Sequence, residues 1–440
     1  MEYVIVAIVL IGRPAWMWFA LQNFIPVMIW MERKGSAYIQ DRIGPNRAHI
    51  GPFRLAGMIH NIADVIKLMT KEDIIPSHVN KSYYLAAPFV AMTVALLTYA
   101  VIPFADTLVI SEKWTIPMQG ANLSVGFLYI FAISSLAVYA IVMAGWASNS
   151  KYGLLGGLRS SAQMVSYEVT LGLSIIGLVM VFGTVELNLM VQRQGDLLLG
   201  AIPMWGIIIQ PLGFVLYLIC AFAETNRNPF DLPEGESEIV AGYHVEYSSM
   251  KFALFFMAEY VNILVQAAII ATLFLGGWQL PWVTTEIMKE NIGTVLTVIC
   301  VLNTILFFGA GIILYRYHLT NQHSWRDMRR SEGKWLSLLC FAGGITFLVA
   351  LSIVVNYPPE NNGAWAAVWT AAIQCGVFFT KLLLVAWLFI WVRWTLPRFR
   401  YDQLMKLGWQ YMLPIALANL LLTAFVLMFF ERVKLALGIS

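Results

Sequence analysis

The sequence predicts an all-α polytopic membrane protein of about ten transmembrane helices, with an amphipathic helix on the membrane surface. Three observations predict it. Of 440 residues, 59% are hydrophobic and 12% charged, about half the charged fraction of a soluble domain. Apolar runs long enough to cross hydrocarbon, about 20 residues each, recur along the chain. The basic residues between them gather on alternate loops.

The runs fall at 4–31, 83–104, 123–147, 163–183, 203–223, 251–275, 293–315, 336–356, 365–391 and 411–430. The first lacks a basic leader and exceeds the apolar core of a signal peptide, so a retained span is expected. Arg13 interrupts it, snorkelling or facing a neighbouring helix. Loops 32–82, 148–162, 224–250 (with Lys251 at its edge), 316–335 and 392–410 hold 21 of the 28 lysines and arginines. An even number of spans puts both termini on one side. The positive-inside rule makes the basic loops cytoplasmic and both termini periplasmic.

The first cytoplasmic loop leaves the membrane through Glu32, Arg33 and Lys34. From Phe53 to Glu72 its pattern is helical: Leu55, Met58, Ile59, Ile62, Ile66 and Met69 share one side, with His60, Asp64, Lys67 and Lys71 opposite. Such a helix lies along the membrane or docks on a neighbour. Loop 148–162 is glycine-rich without phosphate-loop spacing and reads as a tight turn. Glu168 and Glu259 fall inside spans, where an ionised carboxylate is costly unless paired, neutral or facing water. Both are functional candidates, against the plainer reading of a protonated glutamate bonding a neighbouring helix.

The loop from Ala223 to Tyr247 carries Glu224, Asp231, Glu234, Glu236, Glu238 and Glu246 against one arginine, Arg227. Interleaved Pro229, Phe230, Leu232, Pro233, Ile239, Val240 and Tyr243 fold it back on the protein. A helix after Pro233 would set Glu234 and Glu238 roughly 6 Å apart on one face. At an effective dielectric near 20 they repel by about 3 kcal/mol, so one member can carry a proton near neutral pH.

Cys220, Cys300, Cys340 and Cys375 each stand alone in a predicted span and read as buried thiols. All six histidines lie in loops, and neither Cys-x-x-Cys nor a dinucleotide glycine motif is present. No metal and no redox cofactor of its own is expected, nor a nucleic-acid partner; electrons would arrive from another subunit. Residues 282–364 add two spans around a basic turn with nothing catalytic, His318 and His323 reading as surface residues.

Several stretches carry a resemblance: Glu32 to Lys34 with Gln40 to Asn46, Ala63 to Glu72, Ser166 to Thr170, the acidic loop through Tyr247, Met257 to Tyr260, and Pro397 to Gln403. The chain resembles the quinone-site membrane subunit of respiratory complex I, the proton-pumping NADH:quinone oxidoreductase. The resemblance implies a quinone chamber capped by a soluble partner that holds the last iron–sulfur cluster, with ubiquinone or menaquinone as substrate. Arg33, Asp64, Arg227, Glu234, Tyr260 and Arg393 match positions near that chamber, and no catalytic residue is assigned to this chain. Glu168, Glu224, Glu236, Glu238, Glu246 and Glu259 match a glutamate path coupling quinone reduction to the pumping arm. Soluble iron–sulfur subunits, neighbouring membrane-arm subunits and lipid would be its partners, in a bacterial inner membrane.

Two departures are visible. His60-Asn61 stands where Gln-Pro is usual, and the segment from Asn46 is longer. Residues 282–364 insert a hairpin into the usual eight spans, dividing a membrane core of 1–281, with loops 32–82 and 224–250, from 365–440; the hairpin is expected to be peripheral. The alternative is the related subunit of an energy-converting hydrogenase or ferredoxin-driven complex. The full run from Asp231 to Glu238 favours complex I. A self-sufficient ion antiporter would need neither the docking loops nor a partner.

Overall fold

The computed structural model describes residues 2–51, 55–111, 114–198, 200–232, 235, 239–321 and 329–437. Glu234, Glu236 and Glu238 lie outside them, as does the expected helix start at Phe53. Among the described residues, eight helices are long and apolar enough to cross a membrane, so the chain is an all-α polytopic membrane protein. The first expected span lies within α1 (Glu2–Ile39), which continues past it through Glu32, Arg33 and Lys34.

After α1 come α2 (Ile59–Thr70), α3 (Lys81–Tyr99), α4 (Gly126–Ser134) and α5 (Leu136–Ala147), the last two nearly continuous. The surface helix is preceded by a 3-10 turn, Leu55–Gly57. Its Ile62, Val65, Ile66 and Met69 are exposed, while Ile59 and Asn61 face the protein and Asn61 donates to Pro26 O at 2.6 Å. Most of its apolar stripe therefore turns away from this chain.

Two expectations are corrected. The turn expected over 148–162 is confined to 148–150, with Asn149 at φ +48°, and α6 runs unbroken over Lys151–Phe182. Its glycines serve close packing. A Cβ on Gly156 would stand 2.6 Å from Gly242 Cα, and one on Gly145 of α5 2.5 Å from Gly153 O. The expected continuous span 203–223 is instead broken. After α7 (Leu187–Gln194), α8 (Gly206–Ile209) ends at Gln210, outside helical geometry at φ −129°, and α9 spans only Pro211–Glu224. Pro211 donates no backbone hydrogen bond and pushes the preceding residue out of the helical region, which explains the break.

The most enclosed helix is α10 (Ser249–Phe274). It packs against α1, α3 and the long α14 (Ala364–Thr395), with Tyr167, Tyr217, Tyr260, Phe274, Phe378 and Phe389 fully buried in the shared core. Its C-terminus is capped by Lys381 of α14, whose Nζ donates to Leu275 O, Gly277 O and Gln279 O at 2.7, 2.9 and 2.7 Å. A cation there meets the negative end of the helix dipole and satisfies carbonyls with no partner in the helix.

Between α10 and α14 lie the short α11 (Thr285–Glu290) and the hairpin α12 (Ile292–Asn321) and α13 (Arg329–Asn356). The hairpin helices pack on each other and leave Ile305, Leu306, Ile313, Leu339 and Ile345 exposed, as lipid-facing helices do. The last segment starts before its expected boundary, with α15 (Tyr401–Lys406), a π turn at Leu407–Met412 and α16 (Leu413–Leu437). Two antiparallel ribbons decorate the connections: Leu108–Ser111 with Trp114–Ile116, and Leu197–Leu198 with Ile202–Pro203.

Candidate functional site

The end of α1 beyond its apolar stretch carries Glu32, Arg33 and Lys34 in succession. Consecutive residues on a helix point about 100° apart, and each of these charges meets a different segment. Glu32 accepts from Tyr260 Oη of α10 at 2.7 Å, from Arg227 Nη1 at 3.4 Å, and from Arg393 near the end of α14. Arg33 pairs with Asp64 of α2, which Lys67 also approaches at 3.6 Å. Lys34 pairs with Glu332 of α13 at 2.7 Å.

Arg227 binds the cluster together. Its Nη1 faces Glu32, its Nη2 stands 3.6 Å from Glu259 Oε2, and its guanidinium lies 4.5 Å from the centre of the Tyr260 ring. Only a planar guanidinium reaches two carboxylates while stacking on an aromatic face. Glu259 also accepts from Tyr243 Oη at 3.4 Å. The Arg227 side chain is 7% exposed and those of Glu32 and Glu259 14%, so these charges hold one another in a largely desolvated pocket.

The acidic loop is fixed around this pocket. Gln163 of α6 donates to Ala223 O at 2.7 Å and Phe230 O at 3.0 Å, and Asn226 donates to Ser160 Oγ at 3.1 Å. Asn228 donates to Arg393 O and Leu396 O at 3.0 and 2.9 Å, tying the loop to the end of α14. Asp231 accepts from Arg398 at 2.9 Å. Burial nevertheless holds its carboxyl above the ordinary range, outweighing the opposing pull of Arg398 and Arg393. On a 3-10 turn of the same loop, burial lowers the His244 pKa, with Glu259 pulling it up. Burial likewise pushes the Tyr247 phenol well above its usual value.

Of the residues singled out from sequence, Arg33, Asp64, Arg227, Tyr260, Arg393 and Glu259 surround the end of α1. Glu224 stands apart at the end of α9, accepting from Gln266 Nε2 at 2.9 Å, while Tyr217 Oη donates to Gln266 Oε1 at 2.6 Å. Two cavities of about 10 Å³ flank Glu224 and share Ser134 and Gln266, each on the order of one water molecule. Glu168 is half-buried on α6, and Glu246 lies beside Tyr84, whose hydroxyl donates to its backbone carbonyl at 2.7 Å. Sequence reasoning did not single out Glu32, Lys34, Tyr243 or Glu332. The run of three charges leaving a span was the available signal for the first two; no local signal marks Glu332. Among the described residues no group of three or more His, Cys, Asp or Glu could hold a metal ion.

A many-helix membrane protein with a desolvated ion-pair cluster where several of its helices meet fits the class of membrane subunits that serve a larger enzyme. The chain matches the family described as NADH dehydrogenase over residues 14–328 and 333–424. It is 44% identical to an NADH-quinone oxidoreductase H subunit of Solibacter usitatus, across 92% of this chain and 93% of that one. It is 40% identical to NADH-quinone oxidoreductase subunit 8 of Rhodothermus marinus, across 90% and 91%. With the H subunit of Salinibacter ruber the identity is 37%, across 96% and 99%. The chain therefore belongs to the NADH dehydrogenase family, among the H subunits of complex I, and is a multi-pass membrane subunit of that enzyme.

Proposed function

We propose that this subunit forms the membrane part of a quinone chamber, completed by soluble iron–sulfur subunits, and couples quinone reduction to proton translocation through its carboxylates. The observation that carries the reading is the cluster at the end of α1, where Arg227 is shared between Glu32 and Glu259. Reducing a quinone to a quinol consumes protons and leaves transient negative charge in the chamber. Glu32, Glu259 and Asp64 oppose Arg33, Arg227 and Arg393, with Lys67 also beside Asp64. Negative charge added nearby weakens the hold of Arg227 on Glu259 and favours uptake of a proton there.

From Glu259 the route leads inward along α10. Gln266, two turns further on, holds Glu224, and the two water-sized cavities beside that carboxylate supply room for a relay. Glu168 on α6 and the loop residues Glu234, Glu236, Glu238 and Glu246 belong to the same path by their match to the family's motifs. Neighbouring membrane-arm subunits would receive the coupled proton. The excess of lysine and arginine on alternate loops supports a bacterial inner-membrane placement with both termini periplasmic. The core is 1–281 and 365–440, with 282–364 an inserted hairpin.

Glu259→Gln tests this reading in the assembled complex, since it keeps the shape and removes the titratable proton. Expected is a severe loss of pumping-coupled quinone reduction, with electron transfer from NADH to an artificial acceptor upstream of quinone intact. Near-normal quinone turnover with a full proton gradient would overturn it.

A further inference from the structure

We propose that Glu332, on the inserted hairpin, is a positioning residue for the quinone chamber, acting through Lys34 to fix the rotation of the last turns of α1. The inference rests on the chamber reading above and extends it to the hairpin of α12 and α13.

Glu332 and Lys34 lie 298 residues apart in sequence and are 5% and 3% exposed. Both carboxylate oxygens are engaged: Oε1 takes Lys34 Nζ at 2.7 Å and Oε2 takes Tyr38 Oη at 2.7 Å. Lys34 also donates to Ile43 O at 2.9 Å, joining the hairpin, the end of α1 and the loop that follows it. A pair this buried differs from an exposed ion pair. Removal of one partner leaves the other charge without compensation in a dry site, so the geometry is strongly held.

What the pair holds is the turn that presents the chamber cluster. Glu32, Arg33 and Lys34 are rigidly related on one helix, so a rotation that releases Lys34 swings Glu32 away from Arg227 and Tyr260, and Arg33 away from Asp64. Helix α13 also packs against the Leu55–Gly57 turn leading into α2. That turn is held to α1 where Trp30 Nε1 donates to Ala56 O at 2.9 Å. Gly57 has φ +92°, and a Cβ there would stand 1.8 Å from Pro45 O, so the turn lies directly against the backbone of the loop after α1. The hairpin thus touches α1, which supplies Arg33, and the turn that leads into α2, which supplies Asp64. The sequence pointed to a peripheral hairpin, and its outer flanks do face away from the protein, but its inner end is attached to the site.

The test uses the whole complex in membranes, assayed with a short-chain quinone and with an acceptor upstream of quinone. Glu332→Gln keeps the shape without the charge, Glu332→Ala removes both, and the swap Lys34→Glu with Glu332→Lys restores a pair in reverse. Expected is a rise in apparent quinone KM of about fivefold or more for the two single variants, a change in kcat of less than about twofold, and substantial recovery in the swap. A purely structural role would instead lower the amount of assembled complex and leave KM unmoved. Unchanged KM in Glu332→Gln and Glu332→Ala while Asp64→Asn raises it overturns the proposal and spares the chamber reading. Unchanged KM in all three removes the chamber reading itself. Failure of both Glu332 variants to assemble also overturns the proposal, because it assigns the pair to folding.

Discussion

Replacing Arg227 by glutamine removes the cation shared by Glu32 and Glu259. At 3.4 and 3.6 Å, each contact is worth about 4–5 kcal/mol by Coulomb's law at an effective dielectric near 20. Glu32 keeps Arg393 and the Tyr260 hydroxyl, and Glu259 keeps the Tyr243 hydroxyl. Reorganisation and residual water reduce the net cost to about 3 kcal/mol, within the range for breaking a buried pair. If that energy is expressed in the coupled step, quinone turnover falls by about two orders of magnitude. Arg227→Lys should fall between, because an ammonium carries the charge without a fork that reaches both carboxylates. The assay is NADH oxidation by quinone in proteoliposomes, normalised to an upstream acceptor to count assembled enzyme. Turnover in Arg227→Gln within about twofold of the parent would show that the cluster is structural ballast and refute the reasoning.

Two further outcomes follow from the packing of the acidic loop. Gly156→Ala should lower the yield and thermal stability of the complex, since its Cβ meets Gly242 Cα at 2.6 Å and Tyr243 N at 2.7 Å; unchanged stability would mean that α6 and the loop part easily. Burial lowers the His244 pKa, so the unfolded loop binds a proton more readily than the packed one, and packing weakens as pH falls from the ordinary imidazole value through the lowered one. Protection factors across 239–248, with the intrinsic pH dependence of amide exchange divided out, should therefore fall on acidification within that window. His244→Gln should remove that dependence, and identical acid profiles would exclude the histidine.

The site was legible in part, and the division has a physical cause. The expected span within α1 stopped at 31 because hydropathy falls at the charges, yet α1 continues to Ile39; a helix ends where its hydrogen bonds end, not where its surroundings turn polar. Residues 148–162 read as a turn because glycine is a poor helix former in isolation. In place, contacts with Gly145 and Gly242 reward the missing side chains. The break at Gln210 was signalled by Pro211 and lost in the length of the apolar run.

The sequence by itself determined the class, the polar loops, the family and most of the charged residues that meet at the end of α1. Composition and periodicity are local quantities, and a membrane's demand for long apolar helices writes them plainly. Only the tertiary structure decided which charges share a pocket. Glu32 finds Arg227 at 195 residues' remove, Arg393 at 361, and Lys34 finds Glu332 at 298. Such pairs are selected by how the helices pack, which sets where their ends meet, and a charge buried there has to find its partner across the fold because no water is left to solvate it.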